Sequence, residues 1–222
     1  MNALLRGLAG SVVLASAFAV FLPEPSARAS VSIAAAYDAL VGTADAIALV
    51  TPVETMSAWE DGKIYTYTRV KVDQGVAGDL GTGGEAWVRT RGGVVGKIGQ
   101  IVDGEAVFVP KTQSLVFLRK GPPGAFDVSA RAQGQYPVVL DESRKRATLT
   151  RHANVGVVYP PKTDPAQTLP RPDVKAQTAV STPAARAPMK TPVPAAEMIH
   201  GRPVEEVVRD IAAAYKRLHV AP

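Results

Sequence analysis

The stretch SAWEDGKIYTYTRVKVD, residues 57–73, decides the fold of this chain of 222 residues. At its centre, Asp61 and Gly62 form a dipeptide that two-residue β-hairpin turns favour, because both turn positions need a positive φ. Residues then alternate between two faces of a strand. The pattern predicts a hairpin whose second strand has an apolar and threonine face and an aromatic–basic face. The first face carries Ile64, Thr66, Thr68, Val70 and Val72, and the second carries Tyr65, Tyr67, Arg69 and Lys71.

Short runs of similar character surround the hairpin and predict further strands. Residues 45–55 are strand-like and mostly apolar, and the five glycines of 74–84 predict a turn region. Glycine and proline turns recur about every ten residues, which is typical of a small antiparallel sandwich or barrel. We therefore expect a mainly β fold, a small antiparallel OB-like barrel with a short N-terminal helix over 31–41 and a C-terminal amphipathic helix. The remaining strands are predicted at 85–91, 100–109, 114–120, 126–132, 135–141 and 146–152.

The glycine-rich stretch VRTRGGVVGKIGQ, residues 88–100, raises the possibility of a phosphate-binding loop. That motif needs four residues between its two glycines and a Ser or Thr after the lysine. Here only three residues separate Gly92 from Gly96, and Ile98 follows Lys97. The stretch is therefore interpreted as the end of a strand followed by a glycine corner of the barrel.

The two ends of the chain predict export and a tethered helix. Residues 1–29 have a basic start, a 15-residue apolar run and an Ala-Arg-Ala cleavage site, which together indicate a secretory signal peptide. Cleavage after Ala29 would leave no stable membrane anchor, and the barrel domain would span 30–152. Residues 153–201 are predicted to be a Pro-rich disordered linker. Residues 202–220 predict an amphipathic helix whose partner is the chain's own barrel, a second copy or another protein.

Composition limits the chemistry of the chain. It has no cysteine, so thiolate metal sites and cysteine nucleophiles are excluded. The three histidines are far apart in sequence, so we expect neither a metal site nor a cofactor. The net charge of +5 is mild, which argues against specific nucleic-acid binding. A hydrolytic enzyme would require Asp103, Glu105 and His152 to converge in a pocket.

The aromatic–basic face is the main candidate for ligand binding. If the strands at 64–73 and 85–91 are neighbours, aromatic rings and cations interleave on one side of the sheet. Such a surface suits stacking on sugars or bases, although solvated cations over aromatic rings are also ordinary on an outer sheet face. We call these residues the aromatic–basic face: Tyr65, Tyr67, Arg69, Lys71, Trp87, Arg89 and Arg91.

Five segments share a rhythm with a known group of proteins: ADAIALVTPVE (44–54), YTRVKVDQGVAGDLG (67–81), AWVRTRGG (86–93), SLVFLRK (114–120) and ARAQGQYPV (130–138). This rhythm resembles uncharacterised secreted bacterial proteins with an OB-like barrel. More distantly it resembles the netrin-like module of tissue inhibitors of metalloproteinases. In those inhibitors an N-terminal cysteine reaches the protease zinc, and here Ser30, Val31 and Ser32 would take its place.

The expected function is a secreted or periplasmic, non-enzymatic binding module for a protein or a cell-envelope glycan. The first alternative, implied by the resemblance, is a regulator or inhibitor of a secreted metalloprotease that acts through Ser30, Val31 and Ser32. The second alternative is a hydrolytic enzyme.

Overall fold

The structure is a computed structural model that describes residues 31–143, 145–160 and 192–219. It is mainly β, with a closed five-stranded barrel and few helices. The signal peptide predicted at 1–29 and Ser30 lie outside the described residues. The strands are β1 (Val31–Ile33), β2 (Ala46–Glu60), β3 (Lys63–Gly78), β4 (Glu85–Arg91), β5 (Gly93–Val95), β6 (Ile98–Gln100), β7 (Ser114–Lys120), β8 (Phe126–Val128), β9 (Gln135–Asp141), β10 (Arg146–Leu149) and β11 (Val157–Tyr159), and the helices are α1 (Tyr37–Gly42), α2 (Ala195–Ile199) and α3 (Val204–His219), with a 3-10 turn at Arg131–Gly134.

The predicted hairpin is confirmed and forms the longest pair of strands. Asp61 and Gly62 connect β2 to β3, with φ of 47° and 73°. Both values lie in the left-handed region that this turn requires. The pairing runs from Glu60 opposite Lys63 to Ala46 opposite Gly78, with three register shifts. As a result, β3 continues to Gly78 through residues that the glycine content of 74–84 had assigned to a turn.

The barrel closes in the order β7–β2–β3–β4–β8, because β8 also pairs with β7. The pairing between β4 and β8 is parallel, and the other pairings around the barrel are antiparallel. Strands β9 and β10 continue the sheet beyond β7. This architecture confirms the predicted small OB-like barrel, with one parallel pair that the sequence did not indicate.

The barrel interior is filled by small and branched side chains and by a loop. The side chains of Ala106 and Phe108 are buried with the inward residues of the strands. The prediction of a strand over 100–109 is therefore wrong after Gln100, where β6 ends. The reason is that the loop packs Ala106 and Phe108 into the barrel and makes several of its hydrogen bonds with side chains instead of with a neighbouring strand. Gln135 binds both the N–H and the carbonyl of Val107, at 3.1 and 3.0 Å.

A second apolar cluster lies on the outside of β2 and β7. Ile47 and Leu49 on β2, and Phe117 on β7, are buried there against Val207 and Ile211 of α3. Helix α3 therefore packs on the chain's own barrel, which is the first of the three partners that the amphipathic stripe left open. Helix α1 joins the same cluster through Tyr37, Leu40 and Val41.

The structure differs from the sequence predictions at three places near the ends. The expected helix over 31–41 is instead β1 followed by α1, because β1 pairs in parallel with β11. The predicted linker 153–201 contains β11 at its start and α2 at its end, since the main chain of β11 pairs with β1 and Ile199 of α2 is fully buried. Its central part, 161–191, lies outside the described residues.

Candidate functional site

The aromatic–basic face is brought together by the pairing of β3 with β4. Opposite one another lie Tyr65 and Arg91, Tyr67 and Arg89, and Arg69 and Trp87. The neighbouring residues Ile64, Thr68, Val70, Ala86, Val88 and Thr90 are buried, so alternation turns all seven members of the face away from the barrel interior. Lys71 and Arg91 are exposed, and the other five side chains are half-buried.

Arg69 is compensated by two acids of the same face. Its Nε lies 2.8 Å from Glu54 Oε1, and its Nη1 lies 2.7 Å from Glu85 Oε2. The hydrogen bonds to Glu54 and Glu85 raise the pKa of Arg69 above its ordinary value. The guanidinium of Arg69 is therefore held in place by acids on the two strands that flank β3.

Arg89 is held in the same way at the centre of the face. Its Nε lies 3.0 Å from Asp127 Oδ1 on β8, and its Nη1 lies 3.1 Å from Glu60 Oε2 on β2. The guanidinium also lies over the ring of Tyr65, at 4.6 Å from the ring centroid. The hydroxyl of Tyr67 donates a hydrogen bond to Glu60. Burial raises the pKa of Tyr67, and this hydrogen bond raises it further.

These acids were not predicted from the sequence, because the aromatic–basic face is defined by positions on β3 and β4 alone. Two of the acids come from β2, at even-numbered positions that the Asp61–Gly62 turn places beside the odd-numbered residues of β3. A register drawn through that turn would have found them. The face therefore sets four carboxylates against four cations: Glu54, Glu60, Glu85 and Asp127 against Arg69, Lys71, Arg89 and Arg91.

A groove continues the face beyond Trp87. It has a volume of about 440 Å³ and lies between Trp87, the loop between β7 and β8, and Phe126. Pro122 and Pro123 of that loop give the groove a rigid, apolar wall. Ligands of OB barrels use the same combination of strand face and adjoining loop.

The predicted N-terminal contact segment is attached to the barrel. Ser30 lies outside the described residues, while Val31 begins β1. Ser32 Oγ accepts a hydrogen bond from Gln133 Nε2 at 3.3 Å. The same amide group donates to the carbonyl of Ile33 and accepts from the N–H of Ala35.

Asp103, Glu105 and His152, which a hydrolytic enzyme would need together, have different surroundings in the structure. His152 is buried, and each of its ring nitrogens binds the main chain: Nε2 lies 3.2 Å from the carbonyl of Val107, and Nδ1 accepts from the N–H of Asn154. Burial lowers the pKa of His152. The ring therefore fixes the loop that fills the barrel. Asp103 is exposed, whereas Glu105 is buried in the wall of a cavity.

The glycine stretch that resembled a phosphate loop forms a small hairpin of β5 and β6. Gly92 and Gly93 begin it with φ of 93° and 132°, and a side chain on Gly93 would overlap the hydroxyls of Thr66 and Ser57. These glycines are therefore required by a sharp corner and by close packing against the β2–β3 hairpin.

Within 31–143, 145–160 and 192–219, no group of three or more His, Asp or Glu side chains is placed to hold a metal ion. In the same part of the chain, no helix is long and apolar enough to cross a membrane. Comparison of the chain with family models, curated proteins and solved structures gives no match.

Proposed function

We propose that the chain is a secreted or periplasmic, non-enzymatic binding module whose ligand is a protein or a cell-envelope glycan. The observation that carries this proposal is the division of the barrel's outer surface. Helices α1 and α3 pack over β2 and β7, whereas the aromatic–basic face on β3 and β4 keeps half-buried and exposed side chains. Export rests on the signal peptide predicted at 1–29.

The pairing of charges narrows the class of ligand. Because Arg69 and Arg89 already bind carboxylates, the face offers little net positive potential to a polyanion. Fixed ion pairs beside aromatic rings instead suit a ligand with many hydroxyls or amides and little net charge. This property favours a glycan or a protein over a nucleic acid.

Retention of the mature protein on immobilised peptidoglycan, a glycan array and immobilised envelope proteins tests the proposal. Trp87→Ala and Tyr67→Ala should each weaken retention about tenfold or more, in line with aromatic residues that dominate binding. Trp59→Ala is the matched control, because Trp59 is 49% exposed on the same sheet but points to its other side. Retention of the Trp87 and Tyr67 variants equal to that of the wild type would contradict the proposal.

A second candidate is inhibition of a secreted metalloprotease through the mature N-terminus. The observation that favours it is that Gln133 hydrogen-bonds Ser32 and Ile33, and that β11 pairs with β1. These contacts hold the segment at the barrel in a chain that has no cysteine to do so. Adding one residue before Ser30 should then abolish inhibition of a secreted metalloprotease, and undiminished inhibition by the extended protein would exclude this candidate.

A further inference from the structure

A second concave site lies at the end of the barrel beside the β5–β6 hairpin. The cavity has a volume of about 510 Å³, within the range of about 300–1,000 Å³ that small-molecule sites occupy. Its buried lining includes the polar side chains of Thr68, Thr90 and Glu105, beside the apolar Ala106 and Phe108. Its outer part includes the apolar Val94 and Ile101, which are 66% and 75% exposed, together with the exposed Arg91.

Glu105 is the buried ionisable group in this wall, with 6% of the residue exposed. Its nearest ion pair, to Arg131 Nε, spans 3.9 Å, which is too long for a hydrogen bond. The guanidinium of Arg131 is itself more than half exposed. The backbone N–H of Ala106 donates a hydrogen bond to the carboxylate, and Arg91 and Asp127 act on it with opposite signs. Burial outweighs these interactions and raises the pKa of Glu105. A buried carboxylate with a backbone donor but so long an ion pair is costly unless a cation approaches it closely.

We propose that this cavity binds a small molecule that carries a primary ammonium group on an apolar body. The ammonium would donate to the carboxylate of Glu105 and to threonine hydroxyls, and the apolar body would lie against Val94 and Ile101. A charge-assisted hydrogen bond of this kind offsets the cost of burying the carboxylate. A neutral polyol would donate hydrogen bonds to the carboxylate without bringing an opposite charge, and it would leave the apolar rim in water.

This site adjoins the aromatic–basic face, because Arg91 of that face also lines the cavity. Thr68 and Thr90 turn into the barrel, whereas their neighbours Tyr67 and Arg89 turn outward. Neither Tyr67 nor Trp87 lines the cavity. Tyr67→Ala and Trp87→Ala therefore test the face alone, Glu105→Gln and Thr68→Val test the cavity alone, and the two proposals can fail separately.

Isothermal titration calorimetry of the mature protein with 2-phenylethylamine, and with its N-acetyl derivative as the matched neutral compound, tests the inference. The amine should bind, and acetylation should weaken binding about tenfold or more, since one charged hydrogen bond is worth about that factor. Glu105→Gln preserves the shape of the side chain and should weaken binding of the amine by a similar factor. Thr68→Val should weaken it several-fold, and Glu54→Gln on the outer face should leave it unchanged.

Circular dichroism establishes that each variant is folded before its titration is interpreted. Equal affinity for the amine and its acetyl derivative would overturn the inference, as would undetectable binding of the amine. If Glu105→Gln were misfolded, the Thr68→Val titration and the two wild-type titrations would still decide the outcome.

Discussion

Replacing Ile211 with alanine should lower the free energy of unfolding by about 2–4 kcal/mol. Ile211 is fully buried in the cluster between α3 and the barrel. The substitution removes three carbon groups, each worth about 0.8 kcal/mol when buried, and the cavity left behind adds to the loss. Alanine favours the helix by about 0.4 kcal/mol more than isoleucine, which offsets a small part of it.

Urea titration of the mature protein, followed by tryptophan fluorescence, measures this loss well. Both tryptophans, Trp59 and Trp87, lie on barrel strands rather than on α3. A change in their transition therefore reports coupling of the helix to the barrel. The dependence of stability on urea concentration should keep its slope, because the same surface is exposed on unfolding.

Leu218→Ala in the same helix is the control, since Leu218 is 40% exposed. It should cost less than about 1 kcal/mol. A loss for Ile211→Ala no larger than that of Leu218→Ala would refute the packing of α3 on the barrel, and with it the division into a covered and an open surface.

Three further changes test the barrel end and the ion pairs. Gly93→Ala should lower the free energy of unfolding by about 2 kcal/mol or more, because its φ is 132° and the added carbon overlaps two hydroxyls. Gly96→Ala is the control, with φ 61° in open space, and it should cost only about 1 kcal/mol in thermal unfolding. Equal losses would contradict the packing at the corner. Burial depresses the pKa of His152 in the folded protein. The stability that the neutral ring contributes is therefore present above about pH 6.5, and it is lost as the pH falls through the pKa of the folded state. The stability gap between wild type and His152→Gln should therefore be wider at about pH 7.5 than at about pH 5, and a constant gap would exclude a neutral buried ring. Asp127→Asn should destabilise the protein by about 1–2 kcal/mol, because Arg89 is mostly buried and loses a charged partner; an unchanged melting temperature would show that the pair contributes nothing.

The parts of the fold that could be predicted are those in which local signals agree. Three elements combine a residue pattern with a residue that marks where the element ends or begins. They are the hairpin at Asp61–Gly62, the alternating strand β4 followed by Gly92, and the apolar stripe of α3 preceded by Pro203. The loop at 101–113 was mispredicted because its buried residues mimic the alternation of a strand, although no neighbouring strand pairs with it. Several of its hydrogen bonds come from the side chains of Gln135, His152 and Asn154, which lie far away in sequence.

The cations and aromatic rings of the candidate site were predicted from the sequence, but its carboxylates were not, for a similar reason. The cations and rings lie on two strands whose alternation is visible in the sequence. Glu60 and Asp127 reach the same surface from β2 and β8, and the parallel pairing of β8 with β4 leaves no local signal. The β1–β11 pair was missed because its two strands are three residues long and more than 120 positions apart.

The position of the open face is nevertheless encoded in the strand patterns themselves. All five residues of Ala46–Val50 on β2, and all five of Ser114–Leu118 on β7, are buried, because these strands pack on the barrel core with one face and on the helices with the other. In β4, by contrast, each buried residue is followed by one that is half-buried or exposed. A continuous apolar run in a barrel strand requires a cover, and strict alternation permits open water on the outer side. Since α1 and α3 supply the cover for β2 and β7, the outer surface that they leave open falls on β3 and β4, where alternation places Trp87 and the ion pairs of Arg69 and Arg89.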